Sequence, residues 1–429
     1  EVYELPDEER AHKSALGREI LLRDFSWEKV AHRLVHSAQR VAKRAVERAP
    51  KIGWVSSWNT RCGIATYSAH LIAGLPESKA VKLFACKPDL RTAEDAENVI
   101  RCWEPHDDED LLRLSDAINR ESIDILVVQF NYGFFNIEHL NRLLLEQARA
   151  GRVMVLMLHS TMDPAHVPNK RLINLVEGMK ECHRILVHSV SDLNRLKKLG
   201  IVENVTLFPH GILDSPHREL SSTGNVFRIA SFGFFLPHKG LLELMDAVTI
   251  LHKKGLKVSL TMLNAEYPAP SSRELIDQAI RKVKKSRAEI EIHTDYLSDA
   301  ECVERMSQMD LIVFPYRDNA ESASGAVRCA LASGTPVAVT PVPIFDDVEN
   351  ATYKLSGGEP EQIAESISTL IRDISKNASS IEEKKESALR WRDSHRYSKV
   401  SRRLYGMLCA LYQKEQGYHG GLGGSTECW

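Results

Sequence analysis

The chain has 429 residues, 43% hydrophobic and 27% charged, enough apolar sequence for a large core spread over two or three domains. A formal net charge of -2 gives no bulk attraction to nucleic acid or anionic lipid, so an anionic partner must be met by local charges. No apolar run approaches the ~20 residues of a membrane span, and the eight cysteines include no CxxC pair, which reads as reduced thiols in a cytoplasmic protein without a metal cluster.

Residues 1–50 are polar and helical and fit no sheet pattern. Within them "WEKVAHRL" (27–34) matches "YSKVSRRL" (397–404) at four of eight positions. Two readings stand side by side: the closing helix of a preceding, similar module, or a chance likeness between two basic amphipathic helices. Residues 51–215 then alternate strand-like runs ("IGWVSS", "VKLFAC", "DILVVQF", "RVMVLMLHS", "RILVHS", "VTLFPHG") with helical segments such as "NIEHLNRLLLEQARA". That alternation predicts a parallel sheet with helices on both faces. A polar stretch with proline and glycine at 213–225 reads as a linker. In residues 216–390 the alternation restarts with "FRIASFGF", "VSLTMLN", "AEIEIHT", "DLIVFPY" and "TPVAVT". The fold class is therefore α/β, two doubly wound, Rossmann-like domains facing a cleft at the carboxyl ends of their strands. Residues 391–413 read as a closing amphipathic helix that crosses back to the first domain, and 414–429 as a flexible tail.

Three stretches carry the candidate chemistry. In "WNTRCGIATYS" (58–68) a strand breaks at Gly63 and restarts as a helix, a turn whose amides can approach an anion, with Ile64 behind it and the Arg61 fork beside it. The same turn serves equally as a tight connection. In "FGFFLPHKGLLELMDAV" Gly233 follows a strand and Lys239 stands at a helix start, where it either neutralises phosphate or is simply solvated. In "FPYRDNAESASGAVRCALASGTPVAVT" the small residues Ser322, Ser324, Gly325 and Ala326 open a helix beside Glu321, which either bonds a polar ligand or complements the helix dipole.

Taken in order over residues 51–413, these stretches resemble the GT-B glycosyltransferases, specifically the retaining family-4 enzymes that use nucleotide-diphosphate sugars. "RCGIATYS" looks like that family's first glycine turn, "MLHS" supplies its histidine as His159, and "LFPHGI" matches its entry to the interdomain region. "GFFLPHKG" is similar to the diphosphate loop, "DYLSDAECVERMSQMDLIVFPY" to the base loop with Tyr296 and Leu297, and "ESASGAVRCALASGTPVAVT" to the E-x7-E region. Two positions depart from the pattern: the second glutamate, which in the family grips the ribose, falls on Cys329, and the arginine preceding the lysine falls on Phe234, leaving Arg61 or Arg317 to restore the charge.

The resemblance implies a retaining hexosyltransferase of polysaccharide or glycolipid assembly, with mannose or rhamnose as the guessed sugar. Lys239, Arg61 and the amides near Gly63 and Ser324 would meet the leaving diphosphate. Glu321 would hold sugar hydroxyls, and His159 would stand near the reacting carbon. It implies no cofactor and no metal, a nucleotide-sugar donor, a saccharide or lipid-linked acceptor and no nucleic-acid partner. Its place would be the cytoplasm, with a peripheral contact to the inner face of the membrane and a joined upstream module as further expectations. The alternatives are a sugar-nucleotide epimerase of the same fold and a non-catalytic glycan-binding or scaffolding module.

Overall fold

The computed structural model describes residues 6–24, 26–32, 49–76, 78–87, 91–105, 110–165, 167–215, 225–317, 321–376 and 378–418. They divide into two compact units, Glu1–Ala49 with Gln413–Trp429, and Pro50–Tyr412. In the first unit, the helix Asp7–Asp24 opens on Asp7, Glu8 and Glu9 and closes on Arg23, charges of the sign each helix end favours. Residues 27–32 are also helical. The rest of the 27–34 segment, the middle of the linker (216–224) and the tail from 419 lie outside the described residues.

The Pro50–Tyr412 unit contains two wholly parallel sheets. The first runs β3-β2-β1-β4-β5-β6-β7, with β1 Ile52–Ser56, β2 Lys82–Cys86, β3 Val99–Trp103, β4 Ile125–Phe130, β5 Val153–Leu158, β6 Arg184–Val187 and β7 Val205–Leu207. The second runs β10-β9-β8-β11-β12-β13, with β8 Phe227–Phe234, β9 Val258–Ala265, β10 Glu289–His293, β11 Leu311–Phe314, β12 Val337–Val339 and β13 Tyr353–Lys354. In both sheets the chain works outward, returns to the centre and continues to the other side. The switch points, β1/β4 and β8/β11, are where open α/β sheets bind ligands. This is the GT-B arrangement of two doubly wound domains.

The central strands are apolar along their whole length because helices cover both faces. Every residue of β4 (ILVVQF) and β5 (VMVLML) is buried. Gln129 is the polar exception in β4, and its amide oxygen faces His159. Two strands, β3 and β13, lie beyond those expected from the sequence. β3 is an edge strand, half-exposed along three of its five residues, and β13 has only two residues.

The closing helix differs from expectation. It is two helices, Ser379–His395 and Tyr397–Tyr418, broken at Arg396 in an extended conformation (φ -54°, ψ 138°). The break has a partner: the Ile212 amide donates to the His395 carbonyl and the Tyr397 amide to the Ile212 carbonyl, both at 2.8 Å. A continuous helix would claim those same groups for itself. The return crossing is thereby bonded to the end of the first domain's chain, and the last helix packs on Gly63–Ala73, with the His70 and Tyr397 rings 4.9 Å apart.

One backbone position sets the geometry of the second switch point. Gly240 has φ +64°, and a Cβ built there would lie 1.9 Å from the Pro315 carbonyl oxygen. Gly240→Ala should destabilise the protein by about 1–3 kcal/mol through the left-handed conformation alone, with the clash added. Chemical denaturation reads this directly, and an unchanged midpoint would refute the packing described.

Candidate active site

A cleft of about 860 Å³ is lined by the carboxyl edges of both sheets. Of the residues singled out in the sequence, Arg61, Gly63, Ile64, His159, Gly233, Lys239, Tyr296, Leu297, Glu321, Ser324, Gly325 and Ala326 all border it. On the first wall, Cys62 precedes the Gly63–Ala73 helix without a side-chain cap, leaving first-turn amides without a capping partner there. A Cβ at Gly63 would meet no protein atom within 4 Å, so packing does not demand glycine there. On the second wall, Gly233 has φ +124° and its backbone approaches Ala326, a Cβ there standing 3.3 Å from the alanine methyl. Ser324 caps the Gly325–Ser333 helix by accepting from the Val327 amide at 3.3 Å.

Lys239 is the charge at the centre. It ends a short 3-10 turn, Pro237–Lys239, and is only 7% exposed. Its ammonium lies 3.9 Å from the centroid of the Tyr316 ring and 3.3 Å from Glu321 Oε2. Burial alone would lower its pKa, but Tyr316 and Glu321 more than offset burial and the net shift is upward. The site therefore holds a cation seated against an aromatic face. Glu321 itself is half-exposed and reaches towards the His238 ring as well.

Ser322 has a different task from the ligand contact expected of it. Its hydroxyl donates to Asp192 Oδ1 at 2.9 Å and its amide to the His159 carbonyl at 3.3 Å. The loop carrying Glu321 is thus pinned across the cleft to the first domain. Asp192 is fully buried and also accepts from Thr161, Ser189 and Arg195. A second stitch joins His70 Nε2 to Asp299 Oδ2 at 2.7 Å.

The two departures are filled by apolar chemistry. Phe234 stacks on Tyr296 at 5.9 Å and meets Tyr267 edge-on at 5.2 Å. Arg61 lies over the Tyr296 ring at 5.6 Å, on the cleft, whereas Arg317 pairs with Glu243 and is not part of the lining. Cys329 borders the cleft with Cys302. A hydrogen bond that the Cys329 thiol donates to Cys302, then burial, pushes its pKa well up, so it stays protonated. Among the described residues no group of three or more His, Cys, Asp or Glu is placed to hold a metal ion.

Sequence reasoning missed the floor of the first wall. His188 and His210, at the ends of β6 and β7, join His159 at the end of β5, and all three border the cleft. Burial holds each imidazole below its ordinary pKa, His188 down to about 4. The unfolded state therefore binds protons that these rings refuse, and stability drains as pH falls below the ordinary imidazole value of about 6.5 towards 4. A signal was present: "LHS", "VHS" and "PHG" each put a histidine just past a strand. Arg328, next to Cys329, is also buried and pairs with Asp347.

Residues 226–373 match the family model described as Glycosyl transferases group 1. No curated protein sequence matches the chain. Solved structures superpose on most of it at low identity. HepE of Anabaena, in complex with UDP and glucose, is 15% identical with a TM-score of 0.60, over 84% of this chain and 99% of that one. The α,α-trehalose 6-phosphate synthase of Burkholderia multivorans is 10% identical with a TM-score of 0.66, over 88% and 100%. Sucrose-phosphate synthase of Thermosynechococcus elongatus is 14% identical with a TM-score of 0.65, over 87% and 100%. These structures share the chain's fold, two doubly wound domains, and residues 226–373 carry the match to glycosyl transferases group 1.

Cys329→Glu tests the apolar wall. A carboxylate there would enter a cluster that includes Cys302, Met306 and Leu297, and an unpaired buried charge is costly. The variant should melt several degrees lower and bind nucleotide no better than wild type. Tighter binding in titration calorimetry would show instead that the position still grips a ribose.

Proposed function

We propose that the chain transfers a hexose from a nucleoside-diphosphate sugar to a saccharide acceptor, with retained configuration. The single observation that carries this is the buried ammonium of Lys239, held between Tyr316 and Glu321 in a cleft shared by both sheets. A charge kept out of water there is set against the charge that develops when a diphosphate departs. The C1–O bond to the diphosphate breaks, the acceptor hydroxyl oxygen bonds to C1 from the same face, and its proton passes to the leaving phosphate oxygen. Lys239, Arg61 and the uncapped turn at Gly63 would stabilise that leaving group, while Glu321 would orient the sugar and His159 would lie near C1.

The structures of HepE with UDP and glucose and of an E. coli trehalose-6-phosphate enzyme with UDP-2-fluoro glucose favour a uridine donor as the first to try. A polysaccharide or lipid-linked acceptor, reached at the membrane's inner face, fits the same reading. No helix among the described residues is long and apolar enough to cross a membrane. A second reading, a scaffolding module without turnover, is favoured by Phe234 standing where the resemblance calls for a second cation. Donor hydrolysis separates the two.

A nucleotide-sugar screen by thermal shift should find one donor that raises the melting temperature. With it, Lys239→Ala should lose roughly 10²- to 10³-fold in turnover while remaining folded. A wild-type rate would reassign the charge to Arg61. Because side chains meet the diphosphate in this reading, turnover should persist in excess EDTA, and its abolition would call for a metal.

A further inference from the structure

Lys239 already carries an anion at the place where the reaction above brings another. Its buried ammonium lies between the face of Tyr316 and Glu321 Oε2, and the two neighbours differ in how firmly they are held. Tyr316 is buried, with the rings of Phe314 and Phe345 packed on it at 5.7 and 5.0 Å. The Glu321 side chain is 48% exposed, and its 3.3 Å contact with the ammonium is long beside the ~2.8 Å of a close charge-assisted pair. Its other oxygen stops 3.9 Å from Nε2 of His238, a buried nitrogen with no hydrogen-bond partner among the described residues. The backbone here is pinned through Ser322, so only the Glu321 side chain can give way.

An anion bonded to Lys239 would stand no more than about 6 Å from Glu321 Oε2 in its present place. Like charges so close in a partly desolvated cleft repel. A diphosphate therefore meets the ammonium either against Glu321 or by displacing it. In the free chain the carboxylate is held, because a buried ammonium without a partner is costly. An arriving diphosphate supplies the replacement charge in the same step. What the displaced carboxylate then meets depends on the ligand. A sugar on the diphosphate brings hydroxyl groups, which donate to a carboxylate; a bare diphosphate brings none.

We infer that Glu321 is a resident counter-ion of Lys239 and a selectivity residue, hindering bare diphosphates and yielding to a diphosphate that carries a sugar. Its return to Lys239 would then help to expel the nucleoside diphosphate once the sugar has left. The selectivity rests on the glycosyltransfer reading; the counter-ion does not.

The test is titration calorimetry on the full chain at about pH 6, where Lys239 keeps its proton even when burial is less opposed. The probes are inorganic pyrophosphate, UDP and UDP-glucose. Glu321→Gln keeps the shape and removes the charge. It should bind pyrophosphate at least roughly tenfold tighter than wild type. Its unliganded melting temperature should fall, and pyrophosphate should restore it. Asp295→Asn removes the same charge from another part of the cleft lining and should gain far less. Glu321→Ala repeats the comparison should the Gln variant fail to fold. Pyrophosphate binding that is absent in every form, no tighter in the Glu321 variants, or raised equally by Asp295→Asn overturns the counter-ion. In Glu321→Gln the affinity for UDP should rise roughly tenfold more than that for UDP-glucose, and equal gains overturn the selectivity. A pyrophosphate gain in a chain that turns over no nucleotide sugar sinks the transfer reading and leaves the counter-ion standing. Turnover without that gain does the reverse.

Discussion

The second domain is organised around one buried ammonium. Lys239 has the Tyr316 face on one side and the Glu321 carboxylate on the other, and a charge with so little water is tolerable only while both stay in place. Tyr316 arrives at the end of β11 and Glu321 on the loop leading to the Gly325–Ser333 helix. Gly240 makes the left-handed turn that brings Lys239 under them, close against Pro315. The switch point at β8/β11 thus has its shape fixed by an electrostatic requirement, met by residues 82 positions apart in the chain.

That requirement extends across the cleft. Glu321 is held where Lys239 needs it because the next residue, Ser322, is bonded to Asp192 and to the His159 backbone. Asp192 can do this because its remaining donors, Ser189, Thr161 and Arg195, all come from the first domain and fix it there. The His70–Asp299 bond ties the same two domains at another edge, and the Ile212–Arg396 bridge ties the crossings at the back. Movement of one wall against the other would have to break some of these bonds, each a modest interaction in net terms.

Much of this was legible in the sequence. Long apolar runs marked the strands that lie covered on both faces, and glycine-punctuated helix starts marked Gly63, Lys239 and Ser324 as cleft residues. β3 escaped because an edge strand with Arg101 in its middle lacks a continuous apolar run, and β13 because two residues make no pattern. The break at Arg396 escaped for another reason. Nothing in the local helical periodicity records that Ile212 competes for its backbone. The histidine floor and the Cys302–Cys329 pair depend on which elements become neighbours, β5-β6-β7 in one case and two adjacent helices in the other. Spacing along one chain does not carry that information.

The two walls have opposite chemistry, and the departures from the family pattern make sense together. Phe234, Tyr267 and Tyr296 give the second wall an aromatic rim, and Cys302 and Cys329 continue it. Away from Lys239, such a rim favours flat, weakly polar groups and offers little to fixed anions. The histidine floor of the first wall is polar but neutral, its imidazoles stripped of charge by burial. Positive charge enters the cleft at Lys239 and at Arg61, whose guanidinium rests on the rim itself. The donor proposed above would present its planar base to the rim and its diphosphate to the two cations.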